Sequence, residues 1–136
     1  MHAKISMGSM PPPLALAYVG DARHSLFIRT MLVKRGITKS GELNKLSLGY
    51  VTAEAQALAF ARIEGMLDED EMNVFRRAFN SSHLNKPKRA SGKDYRTATG
   101  FEAIIGMLAY IGDEERINQL LEAATTEEGE KNDTED

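Results

Sequence analysis

Apolar residues recur at three- and four-residue intervals along most of the chain, and this spacing constrains the fold more than any other feature. In the first such segment they are Leu14, Ala17, Tyr18, Ala22, Leu26 and Val33. Side chains with this spacing lie on one face of an α-helix. No segment shows the apolar–polar alternation that is typical of strands. The pattern predicts a single all-α domain of six or seven helices.

Helix boundaries follow from glycine, proline and acidic residues between the periodic segments. Gly36 is expected to end the first helix. Further helices are expected over residues 40–50, 52–66, 67–80 and 95–111 and from Gly112-Asp113 onward. Residues 81–93 are polar and contain Pro87 and Gly92, so they are expected to form a loop of about a dozen residues, a length at which loops are often functional.

The 136 residues are enough for one hydrophobic core. We expect a flexible arm over residues 1–13, a folded domain over 14–124 and a disordered acidic tail over 125–136. Cysteine is absent, which excludes disulfides, thiolate metal sites and a cysteine nucleophile. No apolar run is long enough to span a bilayer, and the N-terminus does not resemble a secretory signal. The expected location is the cytoplasm.

Charge is distributed unevenly along the chain. Residues 127–136 contain six acidic residues and one lysine. Residues 76–96 contain a single acid, Asp94, and seven basic residues: Arg76, Arg77, Lys86, Lys88, Arg89, Lys93 and Arg96. Such a basic segment is typical of a surface that binds a polyanion such as nucleic acid. The alternative is a solvated loop without a ligand, and charge alone does not decide between them.

Asp21 is an acid within an otherwise apolar helical segment, LALAYVGDARHSL. One interpretation makes Gly20 a break and Asp21 the N-cap of a second helix. The other makes Asp21 a metal ligand or an acid–base group at the edge of the core. This segment by itself favours the cap.

Glu102 is the carboxylate in the most apolar helical segment, YRTATGFEAIIGMLAYIG. A buried charge is costly unless a partner neutralises it, and either a divalent cation or an arginine would do so. Gly100, Ala103 and Gly106 are small, so another helix could approach closely here. We favour a functional role for Glu102.

Two such acids and a basic loop together indicate metal-dependent phosphodiester chemistry. Mg²⁺ prefers oxygen ligands, keeps several waters and bridges substrate phosphates. No HExxH, GxSxG or P-loop motif is present. The histidines, His2, His24 and His83, form no recognisable site.

Four blocks, in order, resemble the Mini-ribonuclease III family, the short relatives of ribonuclease III that lack its double-stranded-RNA-binding domain. They are residues 16–22 (LAYVGDA), 50–57 (YVTAEAQA), 76–80 (RRAFN) and 94–106 (DYRTATGFEAIIG). Phe79 replaces an arginine that the third block often has. The resemblance covers roughly residues 14–122.

The resemblance implies the all-α ribonuclease III fold and a homodimer that cuts both strands of double-stranded RNA. Asp21 and Glu102 would be the catalytic, metal-binding carboxylates, with Mg²⁺ or Mn²⁺ as the cofactor. Arg76, Arg77, Asn80, Lys86, Lys88, Arg89, Lys93 and Arg96 would bind RNA. The family's characteristic role is trimming precursor 23S ribosomal RNA, and ribosomal proteins could assist.

Full-length ribonuclease III has two further acids, where this chain has Ala17 and Thr99. Water and RNA phosphates would then have to complete the metal shell. Two other functions stay open at this point. One is a non-catalytic helical module associated with RNA or the ribosome, and the other is an adaptor whose basic loop binds an acidic protein.

Overall fold

The computed structural model describes residues 9–82 and 92–126, and these two stretches are almost entirely helical. The α-helices are α1 (Pro13–Lys34), α2 (Ser40–Val51), α3 (Ala53–Ile63), α4 (Glu69–Ser81), α5 (Gly92–Ile111) and α6 (Glu114–Thr125), with a 3₁₀ turn at Glu64–Met66. No strand occurs in either stretch. The prediction of an all-α domain is confirmed.

The helices begin and end at local signals. Gly36 follows α1 with a φ of 94°, a conformation that favours glycine. The Thr52 side chain accepts a hydrogen bond from the Ala55 amide at the start of α3. Asp68 and Glu71 form a reciprocal capping box at the start of α4. These interactions satisfy terminal backbone groups that have no partner inside the helix.

Helix α5 is the centre of the domain and packs against α1, α3 and α4. Its fully buried side chains include Phe101, Ile104, Ile105 and Met107. The core also includes Leu16 from α1 and the apolar face of α6. Glu102 and its neighbours are therefore held by the most buried helix of the fold. No helix in the described residues is both long and apolar enough to cross a membrane.

The interpretation of Asp21 as a helix cap is wrong. Helix α1 continues without a break from Pro13 to Lys34, and Asp21 lies near its middle. Glycine inside a helix costs only about 1 kcal/mol relative to alanine, so Gly20 does not by itself end a helix. Its lack of a side chain serves tertiary packing instead, because α5 contacts α1 at this position.

An ion pair joins α6 to α4. The Arg116 guanidinium donates to both carboxylate oxygens of Glu71, at 2.8 and 2.7 Å, and to the Met66 carbonyl at 2.7 Å. Glu71 is buried, with 1% of its surface exposed. The bidentate geometry compensates the cost of removing the carboxylate from water.

Candidate active site

Helices α1 and α5 cross in backbone contact at two glycines. A Cβ atom added to Gly20 would lie 1.7 Å from the carbonyl oxygen of Glu102, and one added to Gly106 would lie 1.7 Å from that of Leu16. Only glycine fits at either position, and the expected close approach of another helix at Gly106 is confirmed. Asp21 directly follows Gly20, so this close crossing places it beside Glu102.

The two carboxylates share one cleft of about 410 Å³. Asp21 is exposed and Glu102 is half-buried. The Asp21 carboxyl is near enough to Glu102 to raise its pKa, and Ala17, Tyr95 and Thr99 are among the other lining residues. The fold thus brings together two acids that are 81 residues apart in the sequence.

Glu102 is a perturbed acid. Its pKa is raised from 4.5 to about 9, chiefly by burial and then by the hydrogen bond and the charge of Asp21, while a hydrogen bond from Gln56 acts in the opposite direction. Two neighbouring carboxyl groups repel each other when both are ionised, so one of them retains a proton unless a cation is present. This pair therefore fits a divalent cation, since Mg²⁺ and Mn²⁺ favour carboxylate oxygens.

Ala17 and Thr99, which stand where the resemblance places two further acids, also line this cleft. Ala17 carries no ligand atom, and the Thr99 hydroxyl donates to the Tyr95 carbonyl at 2.9 Å. Within residues 9–82 and 92–126 no group of three or more histidine, aspartate and glutamate side chains could hold a metal ion. A cation in the cleft would therefore have two carboxylates from this chain and would require further ligands from water or substrate.

Arg96, one of the predicted RNA-binding residues, is held by contacts with Phe79. Its guanidinium lies over the Phe79 ring, 4.3 Å from the centroid, and its Nε donates to the Phe79 carbonyl at 3.2 Å. Phe79 in turn packs on Phe75. Phe79, which replaces an arginine that the third block often has, therefore holds the Arg96 guanidinium in place.

The other predicted RNA-binding residues are more dispersed. Arg76, Arg77 and Asn80 are exposed on α4, and Lys93 lines a separate cleft with Phe79. None of the described basic residues lines the carboxylate cleft itself. Lys86, Lys88 and Arg89 lie outside the described residues.

Two polar residues of the site escaped the sequence analysis. Gln56 and His24 are both buried, with 2% of each exposed. The Gln56 Nε2 lies 3.0 Å from Nδ1 of His24 and 3.4 Å from Oε2 of Glu102. Gln56 shares helical spacing with the buried Ala59 and Ile63, and that spacing could have marked it as a buried polar residue.

Known proteins resemble this chain over most of its length. The model of the Ribonuclease III domain matches residues 14–113. Mini-ribonuclease 3 of Symbiobacterium thermophilum is 41% identical over 113 residues, which cover 83% of this chain and 87% of that protein. Mini-ribonuclease 3 of Enterococcus faecalis is 40% identical over 121 residues, covering 88% and 92%.

The fold has a counterpart among solved structures. The crystal structure of protein FN1578 from Fusobacterium nucleatum superposes with a TM-score of 0.77. The two sequences are 30% identical, and the match covers 87% of this chain and 94% of that one. The chain therefore shares its fold with this solved structure over most of its length.

Proposed function

The chain belongs to the ribonuclease III family, where its relatives are Mini-ribonucleases 3, and on that premise we propose that it is an endoribonuclease that cleaves double-stranded RNA at the cleft of Asp21 and Glu102. The observation that carries the proposal is the contact between these two carboxyl groups in an open cleft. The resemblance to the family assigns each of them a catalytic role, and the fold places them in one cleft.

Asp21 and Glu102 would hold Mg²⁺ or Mn²⁺. The bound cation would supply a nucleophilic water at neutral pH and stabilise charge on the leaving oxygen. Glu102 is fixed by the buried helix α5, while exposed Asp21 faces the side from which RNA would approach. Because the chain provides two carboxylates, RNA phosphate oxygens would complete the shell, which couples cation binding to substrate binding.

RNA would be held through its phosphates. A-form duplexes are recognised mainly by shape, through phosphates and 2′-hydroxyls. Arg96 is one residue from Tyr95, which lines the cleft, and Phe79 fixes its guanidinium. We propose that Arg96 binds an RNA phosphate near the cut. More distant phosphates would be bound by Asn80 and by the remaining basic residues: Arg76, Arg77, Lys86, Lys88, Arg89 and Lys93.

The proposed cellular substrate is precursor 23S ribosomal RNA, which a homodimer would process in the cytoplasm with the assistance of ribosomal proteins. The support for a dimer is the exposure of large apolar side chains on α1 and α2. Helix α2 has no buried residue, and Leu48 on it is 58% exposed, as is Leu26. The glycines of α5 do not supply this surface, because Gly106 packs against α1 and Gly100 against Phe75 inside the chain. Sedimentation at micromolar concentration tests the dimer, and a fully active monomer would contradict it.

The decisive test of the function is cleavage of a labelled RNA duplex with and without Mg²⁺. Asp21→Asn and Glu102→Gln keep the side-chain shape and remove the charge that would hold a cation. We expect both variants to lose cleavage while remaining folded. Asp70→Asn, which changes an acid in the first turn of α4, is the matched control and should stay active. Near-wild-type turnover of either site variant at saturating Mg²⁺ would refute the assignment. RNA binding without cleavage by the wild type would favour the non-catalytic module.

The basic segment has its own test. Neutralising Lys86, Lys88 and Arg89 together should weaken duplex binding and flatten its salt dependence, because each lost phosphate contact removes about 0.9 from the slope of log affinity against log salt, as estimated for B-form duplexes. The loss is expected to reach roughly 2–3 if all three contact phosphates. Isotherms at several salt concentrations, on the inactive Glu102→Gln background, measure the slope. An unchanged slope would remove these residues from the RNA surface.

A further inference from the structure

We propose that Gln56 is a positioning residue that orients the Glu102 carboxylate for cation binding, and that His24 fixes the Gln56 amide for this task. The inference rests on the proposed function. It extends the site from two carboxylates to a buried hydrogen-bonded chain, His24–Gln56–Glu102, which joins helices α1, α3 and α5.

The geometry determines which groups donate and which accept in this series of hydrogen bonds. The amide nitrogen of Gln56 carries two hydrogens and lies within reach of two acceptors, Oε2 of Glu102 at 3.4 Å and Nδ1 of His24 at 3.0 Å. Both bonds can form at once if His24 carries its proton on Nε2 and presents a lone pair at Nδ1. Burial lowers the pKa of His24 to about 4, which keeps the ring neutral at neutral pH.

The hydrogen bond to Oε2 favours the cation-binding form of Glu102. An amide N–H stabilises the ionised carboxylate, which is the form that binds a cation. Gln56 is also neutral. A lysine or arginine at this position would itself neutralise Glu102 and compete with a metal ion, whereas an amide orients the carboxylate and leaves its charge available.

Packing alone does not explain a glutamine at this position. Gln56 is buried on the face of α3 that also contains Ala59, Phe60 and Ile63. A buried amide costs about 1–3 kcal/mol unless it is hydrogen-bonded. An apolar residue would pack in the core at this position without needing hydrogen-bond partners. His24 is fixed in turn, because its ring packs edge-on against Phe101 with centroids 5.2 Å apart.

The test compares Gln56→Leu with Gln119→Leu, the same substitution at an exposed glutamine on α6. Equilibrium Mn²⁺ binding, followed by the loss of the free-Mn²⁺ paramagnetic resonance signal, and duplex cleavage across a Mg²⁺ titration are both measured. Loss of a residue that orients a metal ligand typically weakens metal affinity about 10–100-fold, and we expect a change in this range for Gln56→Leu. KM for RNA at saturating Mg²⁺ should stay within about twofold, and Gln119→Leu should match the wild type.

A second variant separates positioning from a purely structural role. His24→Phe removes the Nδ1 acceptor and keeps a ring against Phe101. We expect a smaller loss of Mn²⁺ affinity in this variant. The double variant with Gln56→Leu should bind Mn²⁺ no more weakly than Gln56→Leu alone, because His24 acts through Gln56. A structural role would lower thermal stability in both variants without changing the half-saturating metal concentration.

The outcomes distinguish this inference from the function on which it rests. Wild-type Mn²⁺ affinity in Gln56→Leu would overturn the positioning role, even with Asp21→Asn and Glu102→Gln inactive. If Gln56→Leu does not fold, the His24→Phe variant provides the test. Unchanged Mn²⁺ affinity in His24→Phe would then overturn the proposal. Continued cleavage by Asp21→Asn and Glu102→Gln would instead refute the proposed function.

Discussion

Replacing Gly106 by alanine tests whether the crossing of α1 and α5 builds the site. The new Cβ would lie 1.7 Å from the Leu16 carbonyl oxygen, whereas Cβ atoms are essentially never found closer than 3.0 Å to such a neighbour. The helices would have to separate locally by at least the difference, about 1.3 Å. The opposing atom belongs to the backbone, so no side-chain rotation can relieve the contact.

Two losses follow from that displacement. Overpacking a core costs about 1–3 kcal/mol and occasionally more, and a contact with backbone places Gly106→Ala at the upper end of this range. Helix α1 also carries Asp21 and α5 carries Glu102, so the carboxylates should move apart. Since a misplacement of about 1 Å can reduce a rate about 100-fold, we expect at least that loss of cleavage.

Gly49→Ala is the matched control, because Gly49 lies in α2 and no atom comes within 4 Å of a Cβ built there. Relief of the entropic cost of glycine should stabilise this variant by about 0.5–1 kcal/mol. Urea unfolding and duplex cleavage at saturating Mg²⁺ are measured on both variants. A Gly106→Ala protein with wild-type stability and rate would refute the reasoning.

Two further predictions concern buried charges. Arg116→Met should lower the free energy of unfolding by about 3–5 kcal/mol in urea titrations, because it leaves the Glu71 carboxylate buried without its cation; adding Glu71→Gln should recover part of this loss. Glu102→Gln should flatten the dependence of stability on pH in metal-free buffer, as judged by urea titrations between pH 5 and 8.

The helices could be predicted from the sequence because their signals are local. Apolar spacing, the acidic start of α4 and Gly36 each depend on neighbours within a few residues, and the structure has helices at the expected places. The basic stretch before α5 is also a local property of composition. The packing of Phe79 under Arg96 could not be predicted in this way, because it joins α4 to α5.

The site could be predicted only in part. Glu102 was conspicuous because an acid in so apolar a helix requires a partner. Asp21 suggested a cap because a glycine before an acid is a local break signal, and nothing nearby in the sequence shows that α5 needs that glycine. His24 and Gln56 were each isolated polar residues. Their relation to Glu102 exists only where three helices meet.

The pH dependence of Glu102→Gln follows from the direction of the pKa shift. In the folded protein the pKa of Glu102 is raised from 4.5 to about 9 by burial and by Asp21. The folded state therefore binds more protons than the unfolded chain between these values, so its stability decreases as pH rises through that window. The limit is about 1.4 kcal/mol per pH unit, or about 4 kcal/mol from pH 5 to 8.

Water reaching the open cleft should reduce that total to roughly 2 kcal/mol. Glutamine does not titrate, so the stability of the wild type relative to Glu102→Gln should decrease by this amount as pH rises. Mg²⁺ binds the ionised carboxylate, so adding it should restore wild-type stability at pH 8 and leave the variant unchanged. If the free energies of unfolding of the two proteins change in parallel with pH in metal-free buffer, the pKa of Glu102 is close to its ordinary value. The argument that a cation displaces its proton would then fail.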